Sequence, residues 1–133
     1  MERIKAVVHY TNGKIIKGFT HDFSPSRDRF HLFQEDNPSG QAIEVFIKEL
    51  KALFTVRDFT GDFQHNKRKH YKEEEKPSGR KVEVTFTDGE VLLGSTLGYD
   101  LKRQGFFIFP ADPNSNNVRV FVVSSAVEKV RQV

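Results

Sequence analysis

The chain has 133 residues, of which 37% are hydrophobic and 29% charged, the composition of an ordinary folded protein. It contains no cysteine, which excludes disulfides, thiolate metal sites and a cysteine nucleophile, and no apolar run reaches the roughly 18 residues that span a bilayer. The N-terminal residues lack the apolar stretch of a secretory signal, so we predict a cytoplasmic protein that does not enter a membrane.

The net charge of +3 is not spread evenly along the chain. Lys and Arg number nine against eight Asp and Glu in residues 1–59, six against four in 60–80, and six against six in 81–133. Strong nucleic-acid binding needs a concentrated basic face that releases counterions. The charge distribution therefore gives little support to a nucleic-acid partner.

Two stretches of the chain match each other when the sequence is shifted by 76 residues. Residues 5–13 (KAVVHYTNG) then fall on 81–89 (KVEVTFTDG), and the match continues without a gap through Phe33 and Phe109. After a loop that is one residue longer in the second copy, the shift becomes 77 and the apolar positions stay in register. A shared register of turns, glycines and apolar positions over about 50 residues indicates an internal duplication.

Each copy is predicted to contain five short β elements, because apolar and polar residues alternate between turn signals. The elements cover residues 7–10, 15–20, 30–33, 43–47 and 50–56 in the first copy, and 83–86, 91–96, 106–109, 118–123 and 127–133 in the second. A short helical turn between the fourth and fifth elements is expected in both copies. Residues 45–54 also fit a longer helix, with apolar residues at helical spacing.

Turn-forming residues mark the ends of these strands. Asn-Gly at 12–13 and Asp-Gly at 88–89 predict hairpins with type I′ turns, which need positive φ at both central residues. Gly18 and Gly94 lie inside the second strand of their copies and predict a bulge or a sharp bend, as at the corner of a small barrel.

The segment between the copies is rich in charge and lacks apolar periodicity, which is typical of a solvated linker. We therefore divide the chain into a first repeat at 1–59, a charged linker at 60–80 and a second repeat at 81–133. A repeat of about 55 residues has a marginal core when it has no disulfide or metal. We expect two tandem small barrels that pack together into one all-β body.

The first strands of each copy resemble the first motif of Sm-like barrels, most clearly in residues 82–100 (VEVTFTDGEVLLGSTLGYD). The whole chain is also similar to an uncharacterised bacterial family that carries this unit once or twice, through strings at 27–32 (RDRFHL), 56–59 (VRDF) and 105–113 (GFFIFPADP). These resemblances imply two SH3-like or Sm-like barrels in a bacterial protein, without an established activity.

Sm-like proteins bind uridine-rich RNA through an Asp-x-Asn motif that the corresponding loops, 24–29 (SPSRDR) and 100–105 (DLKRQG), do not contain. The resemblance in fold therefore does not imply RNA binding here. A fainter likeness links residues 22–27 (DFSPSR) to the Asp/Asn-x-Ser-x-x-Gly motif of PilZ domains, which bind cyclic di-GMP. Arg27 stands where that motif has its last glycine, and the paired upstream arginines are absent.

The sequence contains no pattern typical of catalysis or metal binding. The five histidines lack metal-ligand spacing, and there is no nucleophile elbow, Gly-rich phosphate loop or Cys–His pair. We therefore predict that the protein is not an enzyme and needs no cofactor and no metal.

The candidate ligand-binding residues are the basic and aromatic residues of the third loop and its flank in each copy. They are Arg27, Arg29, Phe30, Lys102, Arg103 and Phe106. A basic side chain can hold a phosphate while a neighbouring ring stacks on a base. The alternative is that the cations solvate the loops and the two rings begin buried strands.

The sequence thus predicts a bacterial, non-enzymatic binding or adaptor module whose partner is another protein, reached through a sheet edge or a loop surface. The competing hypothesis is binding of a nucleic acid or a nucleotide through the basic–aromatic loops. The oligomeric state is not determined by the sequence.

Overall fold

The structure, a computed structural model, describes residues 4–34, 42–57, 79–111 and 117–133. The N-terminal half consists of β1 (Ile4–Tyr10), β2 (Ile15–Thr20), β3 (Arg29–Phe33), β4 (Ala42–Phe46), a 3₁₀ turn (Ile47–Glu49) and β5 (Leu50–Val56). The C-terminal half has the same order, with β6 (Arg80–Phe86), β7 (Val91–Thr96), β8 (Gly105–Pro110), β9 (Asn117–Val123), a 3₁₀ turn (Ser124–Ala126) and β10 (Val127–Gln132). Within these ranges no helix is long and apolar enough to cross a membrane.

All ten strands belong to one antiparallel sheet, in the order β10-β6-β7-β8-β9-β5-β1-β2-β3-β4. The strands of each half are contiguous in this order, and the halves meet where β5 pairs with β9. The register of this junction places Leu53 opposite Phe121 and Phe54 opposite Val120. The all-β class predicted from the sequence is confirmed, and the two halves share one sheet.

Each half has its own hydrophobic core, and each core takes side chains from a strand of the other half. On β5, Leu53 belongs to the first core and Ala52 to the second. On β9, Phe121 belongs to the first core and Val122 to the second. Because successive side chains of a strand point to opposite faces, the central parts of β5 and β9 are covered on both faces. This double burial explains why residues 120–123 are all apolar.

The two predicted hairpins are present, but the prediction that their turns are of type I′ is wrong. Among the described residues, positive φ occurs at glycines alone, so Gly13 and Gly89 adopt it (both +93°) and Asn12 and Asp88 do not. The amide of Tyr10 donates to the carbonyl of Lys14 (2.9 Å), which closes a three-residue loop that ends on the glycine. The side chain of Asn12 accepts the amide of Lys14 (2.9 Å), which favours this loop over a two-residue turn.

The glycine inside the second strand of each half allows the third strand to approach closely. A Cβ on Gly18 would lie 2.6 Å from the carbonyl oxygen of Phe33, and one on Gly94 would lie 2.4 Å from that of Phe109. Any side chain at these positions would separate β2 from β3, or β7 from β8. The glycines are therefore required by the close contact between strands.

The element between the fourth and fifth strands is a short 3₁₀ turn in both halves, which confirms the helical turn expected there. The longer helix considered for residues 45–54 is wrong, because β5 begins at Leu50 and pairs with strands on both sides. The linker predicted at 60–80 lies outside the described residues except for Gly79 and Arg80, where β6 begins.

Candidate binding pocket

Three of the six sequence-predicted site residues lie in the β2–β3 loop (residues 21–28) and the β7–β8 loop (residues 97–104), and the other three lie on the strands that follow. Both loops are closed by a tight turn. The amide of Arg27 donates to the carbonyl of Ser24 (3.1 Å), and the amide of Arg103 donates to the carbonyl of Asp100 (3.0 Å). The carboxylate of Asp100 also accepts the amide of Lys102 (2.9 Å), so this side chain serves the turn.

One amide side chain joins the two loops. Gln104 Nε2 donates to the carbonyl oxygens of Pro25 (3.1 Å) and Arg27 (2.7 Å). This contact brings together two loops that lie in different halves and are separated by nearly eighty residues of sequence. The sequence analysis selected both loops but did not predict that they meet.

A pocket of about 470 Å³ opens beside this contact, between the β7–β8 loop, β8 and β9. Its lining is mainly apolar and aromatic: Pro25, Thr96, Leu97, Gly98, Tyr99, Asp100, Arg103, Gly105, Phe106, Phe107, Phe109 and Phe121. At the pocket, the side chain of Leu97 is 77% exposed and that of Phe109 is 36% exposed. Large apolar side chains with this much exposure are open to contact by a partner.

Aromatic rings in edge-to-face contact fix the shape of the pocket where the two halves meet. The ring of Phe121 lies 5.1 Å from that of Phe23 in the N-terminal half and 5.2 Å from that of Phe107. A Cβ on Gly105 would lie 2.6 Å from the ring of Phe121, so the glycine makes room for the ring. The pocket is therefore built by residues from both halves.

The polar groups of the pocket are suited to recognition. The buried hydroxyl of Thr96 lies 2.9 Å from the carbonyls of Gly98 and Phe107 and accepts the amide of Gly98 (3.2 Å), so it is fully engaged by the backbone. The exposed guanidinium of Arg103 makes no ion pair with any part of the chain that the structure describes. The pocket thus offers an apolar cavity with one available cation.

The six candidate site residues predicted from the sequence have different surroundings in the structure: pocket, core or exposed surface. Arg103 and Phe106 line the pocket. Phe30 is 1% exposed in the first core and Phe106 is buried in the second, the core positions that were the alternative to ligand contact. Arg27 and Lys102 are exposed on their loops.

Arg29 is the first residue of β3, directly after the β2–β3 loop. Its guanidinium pairs with Asp28 (3.5 Å) and Glu44 (3.6 Å) and lies 5.5 Å from the ring centre of Phe46. These contacts engage the guanidinium of Arg29 with side chains of β4 and of the adjoining loop residue Asp28, and Arg29 does not line the pocket.

A polar cluster on β3 and β4 was missed by the sequence analysis. His31 Nδ1 lies 2.7 Å from Asp22 Oδ2, and His31 Nε2 lies 3.9 Å from Glu44 Oε2. Burial alone would raise the pKa of Asp22, but hydrogen bonds from His31 and from the hydroxyl of Thr20 outweigh it and hold this pKa below its ordinary value. No group of three His, Asp or Glu side chains in the described part of the chain could hold a metal ion, and this cluster is a polar network that includes ion pairs when His31 is protonated.

Comparison with known proteins gives a family and no activity. A family model described as a family of unknown function (DUF6982) matches residues 2–133. No curated protein and no solved structure matches the chain. The resemblance to Sm-like barrels and PilZ domains is not part of this match.

Proposed function

We propose that this chain, which belongs to the family of unknown function DUF6982, is a non-enzymatic binding module. Its pocket receives an apolar side chain of a protein partner. The observation that carries this proposal is the exposure of Leu97 and Phe109 at the open, mainly apolar pocket. Burial of such side chains against a partner is favourable, at about 25 cal/mol per Å² of apolar surface. Arg103, which forms no ion pair within the described ranges, favours a partner segment that carries a carboxylate beside the apolar residue.

We also propose that the two halves are copies of one small barrel unit of the Sm-like type. Equivalent residues occupy equivalent places in the two cores: Val8 and Val84, Leu32 and Ile108, Val45 and Val122. The common element order and the paired glycines of the second strands support the same origin. On this proposal the pocket is a feature of the C-terminal copy that was completed by the N-terminal copy.

The test compares captured proteins between variants of the pocket. Leu97→Asp places a charge in the pocket, whereas Leu101→Asp places the same charge on a neighbouring, 47% exposed leucine that does not line it. We expect a partner captured from native lysate by the wild-type chain and by Leu101→Asp, and lost with Leu97→Asp. Capture of the same proteins by all three chains, or by none, would refute the proposal.

A direct probe of the pocket needs no partner. We expect N-acetyl-leucine amide to shift the backbone amide signals of Gly98 and Gly105 in a titration followed by NMR, since both glycines line the cavity. The Leu97→Asp variant should show smaller shifts at the same concentrations. Shifts confined to residues outside the lining would place apolar binding elsewhere.

The second candidate function is binding of a nucleic acid or nucleotide by the two basic loops. Gln104 holds the loop of Arg27 against the loop of Arg103, which supports a combined basic surface. The core positions of Phe30 and Phe106 speak against base stacking by these rings. This function predicts a salt-sensitive interaction that Arg27→Ala with Arg103→Ala weakens, and it is excluded if no labelled oligonucleotide binds at low salt.

A further inference from the structure

The two strands that form the junction between the halves, β9 and β5, each have an equivalent strand at one end of the sheet. Among the described strands, β4 pairs with β3 alone and β10 pairs with β6 alone. In the element order, β4 holds the place of β9 and β10 holds the place of β5. Two copies of the chain could therefore add β4 of one to β10 of the other and repeat the β5–β9 junction head to tail.

At the existing junction, each half contributes apolar side chains to the core of the other half. From β5, Ala52 and Phe54 pack in or against the core of the C-terminal half. From β9, Phe121 and Val123 lie in the core of the N-terminal half. A repeat of this junction needs apolar residues at the equivalent positions of β10 and β4.

On the β10 side, the equivalent positions are charged. The strands β5 and β10 begin at Leu50 and Val127, so Lys129 stands where Ala52 does and Arg131 stands where Phe54 does. Both side chains are exposed, and Arg131 pairs with Glu83 (3.0 Å). On β10, exposed charged side chains thus stand at the two positions where β5 contributes apolar side chains to the neighbouring core.

On the β4 side, the equivalent positions form the polar cluster described above. Glu44 stands where Phe121 does, and Arg29 stands where Gly105 makes room for that ring. The pair between Arg29 and Glu44 (3.6 Å) occupies this surface, and His31 stands where Phe107 does. A further half could not dock here as the N-terminal half docks on β8 and β9.

The register of the junction shows that these charges would not neutralise each other. Transferred to the outer edges, the observed pairing of Ala52 with Val122 and Leu53 with Phe121 places Lys129 opposite Val45 and Val130 opposite Glu44. Side chains directly opposite share a face of the sheet. No charge of one copy would therefore face an opposite charge of the other, and these side chains would enter an apolar core with no new partner across the junction, which is unfavourable.

We infer that the charged residues of β4 and β10 block the two outer edges against a further copy of this chain, so that the protein is a monomer with one intramolecular junction. The inference rests on the strand order and on the proposed equivalence of the halves, and it is independent of the pocket. Charged side chains on edge strands are a general means of preventing edge-to-edge association.

The test opens one edge at a time. The first variant, Arg29→Gly with Glu44→Phe, gives β4 the residues of the apolar junction; the second, Lys129→Ala with Arg131→Phe, does the same for β10. Because the contact is head to tail, each variant still has one charged edge, and we expect each to be monomeric alone. Mixed together, they should form a one-to-one complex through β4 of the first and β10 of the second.

The readout is mass by light scattering after size-exclusion chromatography, with NMR spectra to show that each variant is folded. We expect the wild-type chain to elute at its monomer mass of 15.3 kDa over a wide concentration range. A self-associating wild-type chain would overturn the inference. Folded variants that stay separate on mixing, or that aggregate individually, would show that these charges are not what blocks the edges.

Discussion

Truncation of Phe121 tests whether the two halves fold as one unit. This residue belongs to β9 of the C-terminal half, but its ring is 1% exposed and lies in the core of the N-terminal half. Removing a buried phenylalanine side chain costs about 3–5 kcal/mol. Aromatic pairs such as those with Phe23 (5.1 Å) and Phe107 (5.2 Å) contribute about 0.5–1.5 kcal/mol each beyond the buried area.

We therefore expect Phe121→Ala to lower the free energy of unfolding by about 4–5 kcal/mol, the upper part of this range. Proteins of this size are stable by about 5–15 kcal/mol, so the variant is close to the limit of folding. Phe121→Leu keeps an apolar side chain and loses the ring contacts, and its cost of about 1–2 kcal/mol serves if the alanine variant does not fold. Urea unfolding followed by circular dichroism measures both values.

Amide hydrogen exchange measured by NMR locates the effect. If the halves unfold together, the amides of β1 in the N-terminal half, such as that of Val8, lose as much protection as those of β8. The matched control is Phe109→Ala on β8, which removes a 36% exposed ring and should cost about 1 kcal/mol or less. Unchanged protection in β1 of the Phe121 variants, with losses confined to the C-terminal half, would refute the shared core.

Three further predictions concern local features of the fold. Gly18→Ala forces β2 away from β3 and should lower the free energy of unfolding by about 1–3 kcal/mol, as measured by urea unfolding. In the control variant Gly98→Ala no atom lies within 4 Å of the added Cβ, so the free energy of unfolding should change by less than about 0.5 kcal/mol. Ser124→Ala removes a buried hydroxyl that has no hydrogen-bond partner among the described residues, so it should raise the free energy of unfolding by about 1 kcal/mol, and a lower urea midpoint would contradict this. Asp22 has a lowered pKa in the folded protein, so its stabilisation is complete above the ordinary value of 3.8 and is lost as the pH falls through the lower folded pKa. Asp22→Asn should flatten the fall of the urea midpoint in that acidic range, and an unchanged pH profile would show that the pair with His31 does not stabilise the fold.

Local patterns were sufficient to place the strands. The second strands at 15–20 and 91–96 were predicted to the residue, since a strong turn signal precedes each and a β-rich sequence follows. The hairpin type was missed because the side chains of Asn12 and Asp88 accept the backbone amide two residues further on, and the sequence pattern does not indicate this contact. The periodicity of the sequence indicates a strand and its two faces, but it does not indicate which distant strand pairs with it.

The pairing of β5 with β9 and the resulting pocket could not be read from either copy alone. The available signal was the difference between the copies: Ala52 and Phe54 are apolar where Lys129 and Arg131 are charged. That contrast marks β5 as covered on both faces and β10 as an edge. The contact from Gln104 to the β2–β3 loop is a single side chain reaching two carbonyls, and such contacts have no sequence signature.

The strands buried on both faces tie the fate of one half to the other. A shortened protein that kept one half would expose Phe54 on a bare strand edge, or Phe121 and Val123, and such a surface invites aggregation. A gene that encoded one half alone would need other residues at these positions of β5 or β9. Because each set of five strands completes the core of the other, a truncation at the junction damages both.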